Sequence, residues 1–209
     1  MKKMLFLALC TLSLSSFAQD IILPAPQTDG GKSFRYAIAN RRTIRNFTGG
    51  SLSMQQLSDL CFSACGMNRK TEKKLTIPTA MNAQDLVLYA ATKDGIYRYD
   101  AEKHVLKQLK KGDFRSDFGM QKTMFEKAAA VLIYTSDLSK LKFVKTEAEK
   151  KMYAGVHAGF AIQNAGLFCA AEGLGNVVIG SYDRKKTPEL LGLDDMHPVL
   201  MVQLTGIPE

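Results

Sequence analysis

The sequence has no GxSxG, no HExxH and no GxxxxGK[ST], so the common arrangements for serine hydrolysis, zinc hydrolysis and P-loop phosphate binding are missing. Its three histidines, His104, His157 and His197, are too scattered to read as one metal site. Four cysteines are present. Cys10 lies in a leader-like segment, which leaves Cys61, Cys65 and Cys169, an odd number without a CxxC pair, and a disulfide scaffold is not expected. Internal repeats and a second linker are absent. So is a long uncharged apolar run, because His157, Gln163 and Asn164 interrupt the most apolar stretch and argue against a membrane span.

What is present begins with an export signal. Lys2 and Lys3 precede the apolar run MLFLALCTLSL, and Ser16 and Ala18 are the small residues of a cleavage site before Gln19. Residues 1–18 are therefore read as a signal peptide, and the mature protein is expected outside the cytoplasm, most simply in a periplasm. Lipid attachment at Cys10 is the less favoured alternative, since Leu9 is bulky for that signal. Removing Lys2 and Lys3 takes the formal net charge from +8 to +6, an excess that favours anionic ligands. Lysine pairs such as Lys73–Lys74 and Lys110–Lys111 read as solvated faces, and with no accompanying recognition pattern no nucleic-acid partner is expected.

Residues 19–32, rich in Pro and Gly, read as an extended arm leading into a single α+β domain over 33–209. Ser33 caps a short helix, FRYAIAN. Ser53 and Gln56 form a capping box ahead of Leu57, Leu60, Cys61, Ala64 and Cys65 at helical spacing. DLVLYAAT, IYRYD and HVLKQLKKG read as strands, the first pair joined by a hairpin turn at Asp94–Gly95. A short helix around MQKTMFEK leads into the strand AAAVLIYT. From Thr146, with Glu149 as capping partner, to Gly173 one helix of roughly 26 residues and about 40 Å is expected. Its small residues, Ala154, Gly155, Ala158 and Gly159 among them, let other backbones approach, so it reads as a buried central helix packed against its own copy in a homodimer. NVVIGSY follows as a strand, Thr187–Pro188 as a helix start, and PVLMVQLTG as the last strand.

Chemistry is suggested by three weak signals in series. Arg41, Arg42 and Thr43, with Arg45 close by, enter a strand from a helix and offer two guanidinium forks and a hydroxyl to a phosphate, although such residues can equally decorate a surface. Asn82 and Gln84 alternate in the loop TIPTAMNAQ, so in an extended segment both amides point one way and suit the edge of a planar heterocycle. Gly180 and Ser181 form a small-residue turn that lets backbone N–H groups approach a ring.

Taken in order, NRRTIRNF, IPTAMNAQ, GFAIQNAGLFCAAEGLGNVVIGSYD and LLGLDDMHPVLMVQLTGIP resemble the nitroreductase family of FMN-dependent oxidoreductases, and GIYRYDAEKHVLKQL is similar to its SagB-type dehydrogenase branch. The resemblance covers most of the mature chain. It implies an antiparallel-dominated central sheet wrapped by helices, a homodimer with its long helix near the two-fold, and two FMN sites at the subunit interface. By position it assigns Arg41, Arg42 and Thr43 to the FMN phosphate and ribityl chain, with Arg45 a weaker member. It also assigns Asn82 and Gln84 to the pyrimidine edge of the flavin, and Ile179, Gly180 and Ser181 to the turn beside N5 from the other subunit. A basic residue usual after the family's final strand has no counterpart before Glu209, so the two arginines are expected to carry a larger share of the phosphate charge.

The implied activity is two-electron, ping-pong transfer to a nitro compound, quinone or similar small acceptor. The cofactor carries the chemistry, and no catalytic side chain is expected. NAD(P)H is the donor the family suggests, but nicotinamide cofactors are cytoplasmic, so an exported member would draw on another donor or run oxidatively. An exported FMN-binding or anion-binding protein without turnover is the alternative.

Overall fold

A computed structural model describes residues 19–209, so the export signal and Cys10 fall outside the described residues. The chain starts with a two-residue strand, β1 (Ile21–Ile22), and two helices, α1 (Phe34–Asn40) and α2 (Met54–Cys65). A small hairpin, β2 (Met67–Arg69) and β3 (Lys74–Leu75), precedes three strands, β4 (Leu86–Thr92), β5 (Gly95–Asp100) and β6 (Val105–Lys111). After α3 (Lys122–Lys127) come β7 (Ala130–Ser136), the long α4 (Glu147–Glu172), β8 (Gly175–Ile179), α5 (Lys186–Leu191) and β9 (Val199–Gly206).

Seven strands form one sheet in the order β1-β6-β5-β4-β7-β9-β8, and all neighbouring pairs are antiparallel. Period-2 alternation divides its side chains between two cores. Leu86, Leu88, Ala90, Tyr97, Leu132 and Tyr134 face α2 and α4, together with Leu57, Leu60 and Cys61. Val87, Tyr89, Ala91, Val131, Ile133 and Val202 face the other way, onto Phe118, Phe125 and Leu191. This is the α+β fold with an antiparallel sheet wrapped by helices that the sequence implies.

Both expected capping boxes are present. Ser53 accepts from the Gln56 N–H and Thr146 from the Glu149 N–H, each returned by the glutamine or glutamate side chain. The long helix spans 26 residues and ends at Gly173, whose φ of 69° is the left-handed conformation that glycine adopts without a Cβ penalty. Asp94–Gly95 turns β4 into β5 in register Thr92↔Gly95.

Three expectations need correction. Residues 19–32 are extended but not a free arm: β1 pairs with Val105 and Leu106, Leu23 is buried, and Ser58 donates to the Pro24 carbonyl. Apolar residues at 21–23 complete the sheet edge, which composition alone reads as linker. The inward packing expected of α4 is present on one side, where Ala154, Ala158, Ala161 and Ala165 are buried, while Met152, Gly155, Val156, Gly159 and Phe160 are exposed on the single chain. NRRTIRNF does not enter a strand; residues 41–46 run without regular structure, and Phe47 makes an isolated bridge to Pro208. Finally, α5 is not started by Thr187. Asp183 accepts from the N–H groups of Lys185 and Lys186, one turn earlier, and the Thr187 hydroxyl is buried without a partner.

Candidate functional site

The arginine segment is built from α1 outward. The Arg41 N–H donates to the Ala37 carbonyl and closes the helix, after which the Ile44 N–H donates to Asn176 of β8 and fully buried Phe47 anchors the far end. With its backbone tied down on the sheet side, the segment turns Arg41, Arg42, Thr43 and Arg45 to solvent. They line an open groove of about 760 Å³ with Tyr36, Asn40 and Glu209. Arg41 lies low over α4, its Cδ 3.9 Å from where a Cβ on Gly166 would sit, an approach that a larger residue there would hinder. None of the three arginines forms a salt bridge among the described residues, and Glu209, the acid of this groove, is held 2.9 Å from Lys127. Unspent guanidinium forks beside a hydroxyl suit a phosphate.

The amide loop is built differently. It is not extended: Ala80–Asn82 is a turn of 3-10 helix, and Met81, Asn82 and Gln84 have φ of 51°, 56° and 47°. Three left-handed non-glycine residues in four positions store strain that the surroundings must hold. The side chains of Asn82 and Gln84 still meet, with Gln84 Nε2 donating to Asn82 Oδ1 at 3.2 Å and to the Lys73 carbonyl at 2.6 Å. That occupies the donor end of Gln84 and leaves the amide NH₂ of Asn82 as the one directed away from this pair. The period-2 argument for these two residues is thus corrected: they share a place because the loop coils.

The third segment closes β8, an edge strand. Ile179 is buried, whereas Gly180 and Ser181 are exposed, and the nearest atom to a Cβ on Gly180 would be Met201 Sδ at 3.9 Å. Arg184 stacks on Tyr182 at 4.9 Å and reaches back to the Gly180 carbonyl. A cavity of about 630 Å³ opens beside this turn, with Tyr182, Arg184, Met196 and Val199 among its walls.

One chain places along one strand the arginines and the turn, two segments that the resemblance divides between subunits. Ile44 is hydrogen-bonded to Asn176 at one end of β8, and Ile179–Ser181 lies at the other, so the arginines and the turn share a sheet edge. The amide loop does not join them. It is fastened to His157, whereas the arginine groove reaches Ala170, and at about 1.5 Å per residue these positions stand roughly 20 Å apart along α4.

Sequence reasoning missed the anchor of that loop. His157 and Asp85 are buried, with His157 Nδ1 2.6 Å from Asp85 Oδ1, and Ser136 Oγ donates to Asp85 Oδ2 at 2.6 Å. Position alone does not reveal them, because their partners are distant in sequence; a histidine amid the small residues of α4 was the available signal. Cys61, Cys65 and Cys169 are free and buried, and burial pushes the thiols of Cys65 and Cys169 up to about 12. Among the described residues there is no cluster of His, Cys, Asp or Glu able to hold a metal, and no helix is long and apolar enough to cross a membrane.

Comparison with known proteins adds four findings. A model described as the nitroreductase family matches residues 38–207. A Methanocaldococcus jannaschii protein assigned as a nitroreductase is 25% identical over 174 residues, covering 79% of this chain and 86% of that one. Among solved structures, a protein of Ralstonia eutropha with the same assignment is similar at a TM-score of 0.83 and 28% identity, covering 91% of this chain and 90% of that one. A second similar structure, from Desulfovibrio desulfuricans and solved with FMN, has a TM-score of 0.59 at 20% identity and covers 86% and 88% of the two chains.

Proposed function

Because the chain belongs to the nitroreductase family, we propose that it is an FMN-dependent oxidoreductase that passes two electrons in ping-pong fashion to a nitro compound, quinone or similar small organic acceptor. The observation that carries this reading is the groove in which Arg41, Arg42 and Arg45 stand without ion-pair partners beside Thr43. These residues would hold the FMN phosphate, Asn82 and Gln84 the pyrimidine edge, and Ile179–Ser181 the ring near N5. When bound, FMN supplies the two-electron chemistry. The chain supplies charge, orientation and a cavity of small-molecule size beside the turn. The resemblance of GIYRYDAEKHVLKQL, the segment that forms β5 and β6, is the support for the SagB-type branch.

The distance between the amide loop and the arginine groove supports a homodimer whose second copy completes each site. Met152, Val156 and Phe160 stand exposed at helical spacing on α4 and form an apolar stripe. Gly155 and Gly159 lie within it, and no atom stands within 4 Å of a Cβ built on either, which leaves room for a partner backbone. Export to the periplasm completes the proposal. It is supported by the leader pattern of residues 1–18. N-terminal mass analysis should find Gln19 first; a lipid on Cys10 or an intact Met1 would defeat it. Outside the cytoplasm NAD(P)H is not at hand, and the donor is then another reductant.

The deciding experiment is an absorbance spectrum of purified mature protein with FMN added, followed by reduction and reoxidation with a nitro compound or quinone. Bound flavin that bleaches and recovers is expected. Bound flavin that does not turn over would leave a flavin-holding protein, and protein that takes up no flavin would overturn the assignment.

A further inference from the structure

The loop's own side chains hold its far end, where Thr79 Oγ1 accepts from the Gln84 N–H at 3.0 Å and Asn82 Oδ1 from Gln84 Nε2 at 3.2 Å. Its start, Ala80–Asn82, contains no buried residue and is held from outside. The central helix supplies the constraint, for the Ala80 N–H donates to His157 Nε2 at 2.9 Å. An N–H can only donate, so Nε2 is the acceptor and the imidazole is neutral with its proton on Nδ1. That proton points at Asp85 Oδ1, 2.6 Å away, and Asp85 Oδ2 takes the Ser136 hydroxyl. The carboxylate therefore fixes the tautomer and the ring fixes the loop. The Asp137 N–H donates to the Asp85 carbonyl and holds the residue next to Gln84 in place.

We propose that His157, oriented by Asp85 and Ser136, is the positioning residue for the flavin-facing loop Thr79–Gln84. It touches neither flavin nor substrate, and it sets where Asn82 presents its amide. This inference rests on the FMN reading and deepens it by naming what holds that half of the site. Removing the ring leaves the Ala80 N–H and the Asp85 carboxylate each short of a partner, with the strain of Met81, Asn82 and Gln84 free to relax. Glutamine can offer its carbonyl to Ala80 and its NH₂ to Asp85.

The test compares wild type, His157→Leu and His157→Gln, each checked for folding by thermal melting, with Ser136→Ala as a milder variant that keeps the histidine. FMN and riboflavin are titrated into each apoprotein, and hydrogen exchange at the Ala80 amide is followed without flavin. His157→Leu should exchange Ala80 about tenfold faster and bind both flavins about tenfold more weakly, by the same factor because the loop faces the ring they share. His157→Gln should restore most of both, and Ser136→Ala should move both in the direction of His157→Leu, by less. Unchanged exchange and affinity in a folded His157→Leu would overturn the proposal; if that variant does not fold, unchanged values in Ser136→Ala would. Wild type that binds neither flavin would instead overturn the FMN reading and with it the loop's role, while protection of Ala80 would still report the anchor.

Discussion

The arginine segment and the amide loop, which we propose hold two ends of one ligand, are made in opposite ways. Residues 41–46 carry their specificity in exposed side chains on backbone held by main-chain contacts to α1 and β8. Residues 79–84 carry theirs in a coiled backbone whose shape depends on buried groups of α4, β7 and the start of β4. Losing a side chain in the first should remove one contact. Losing a group behind the second should disturb several.

The largest effect should come from the buried support. Asp85→Ala leaves His157 Nδ1 and Ser136 Oγ without acceptors in a fully buried site, and a loss of about 3 kcal/mol in unfolding free energy is expected from denaturant titration. A loss below about 0.5 kcal/mol would erase the contrast between the two regions, since surface changes alone cost that much.

Next come the arginines. Arg41→Ala and Arg42→Ala should each cost roughly 1.5 to 3 kcal/mol of FMN affinity, about one to two decades, with little change in protein stability. Riboflavin, which lacks the phosphate, should be nearly indifferent. Fluorescence quenching titrations read both ligands, and equal FMN affinity across wild type and both variants would remove the segment from the site.

Gly159→Leu probes how the regions are joined. If a second copy completes each site, a side chain on this exposed face should push the copies apart, shift sedimentation toward monomer at micromolar concentration, and weaken FMN about tenfold without touching the arginines. A wild type that is already monomeric with FMN bound would show that one chain suffices.

The smallest effect separates side chain from backbone within the loop. Asn82→Gly removes the amide and keeps a residue at ease with φ near 56°, whereas Asn82→Ala also forces alanine into the left-handed region. Both should weaken FMN and riboflavin alike, and alanine should be worse by about 1 kcal/mol, the cost of that conformation. Identical affinities for the two variants would mean that the loop relaxes freely and that its strain is not held.

The sequence by itself determined whatever depends on neighbours three or four residues apart. Thr146 with Glu149, Ser53 with Gln56 and the stop at Gly173 mark their helices because the groups that satisfy a helix end sit within one turn of it. Asp94–Gly95 marks its hairpin by the same local logic, and the arginine cluster is legible because its chemistry is contiguous. Tertiary structure decided the rest. That residues 19–23 complete a sheet edge depends on β6, more than eighty positions away in sequence. Which side of α4 stays open depends on where α2 and the sheet press against it. The left-handed loop at Met81–Gln84 could not be read at all, since its anchor lies 77 residues along the chain and the carboxylate orienting that anchor lies 72 residues back. Contacts at such separations follow from packing two cores against one sheet, and no local pattern of residues encodes them.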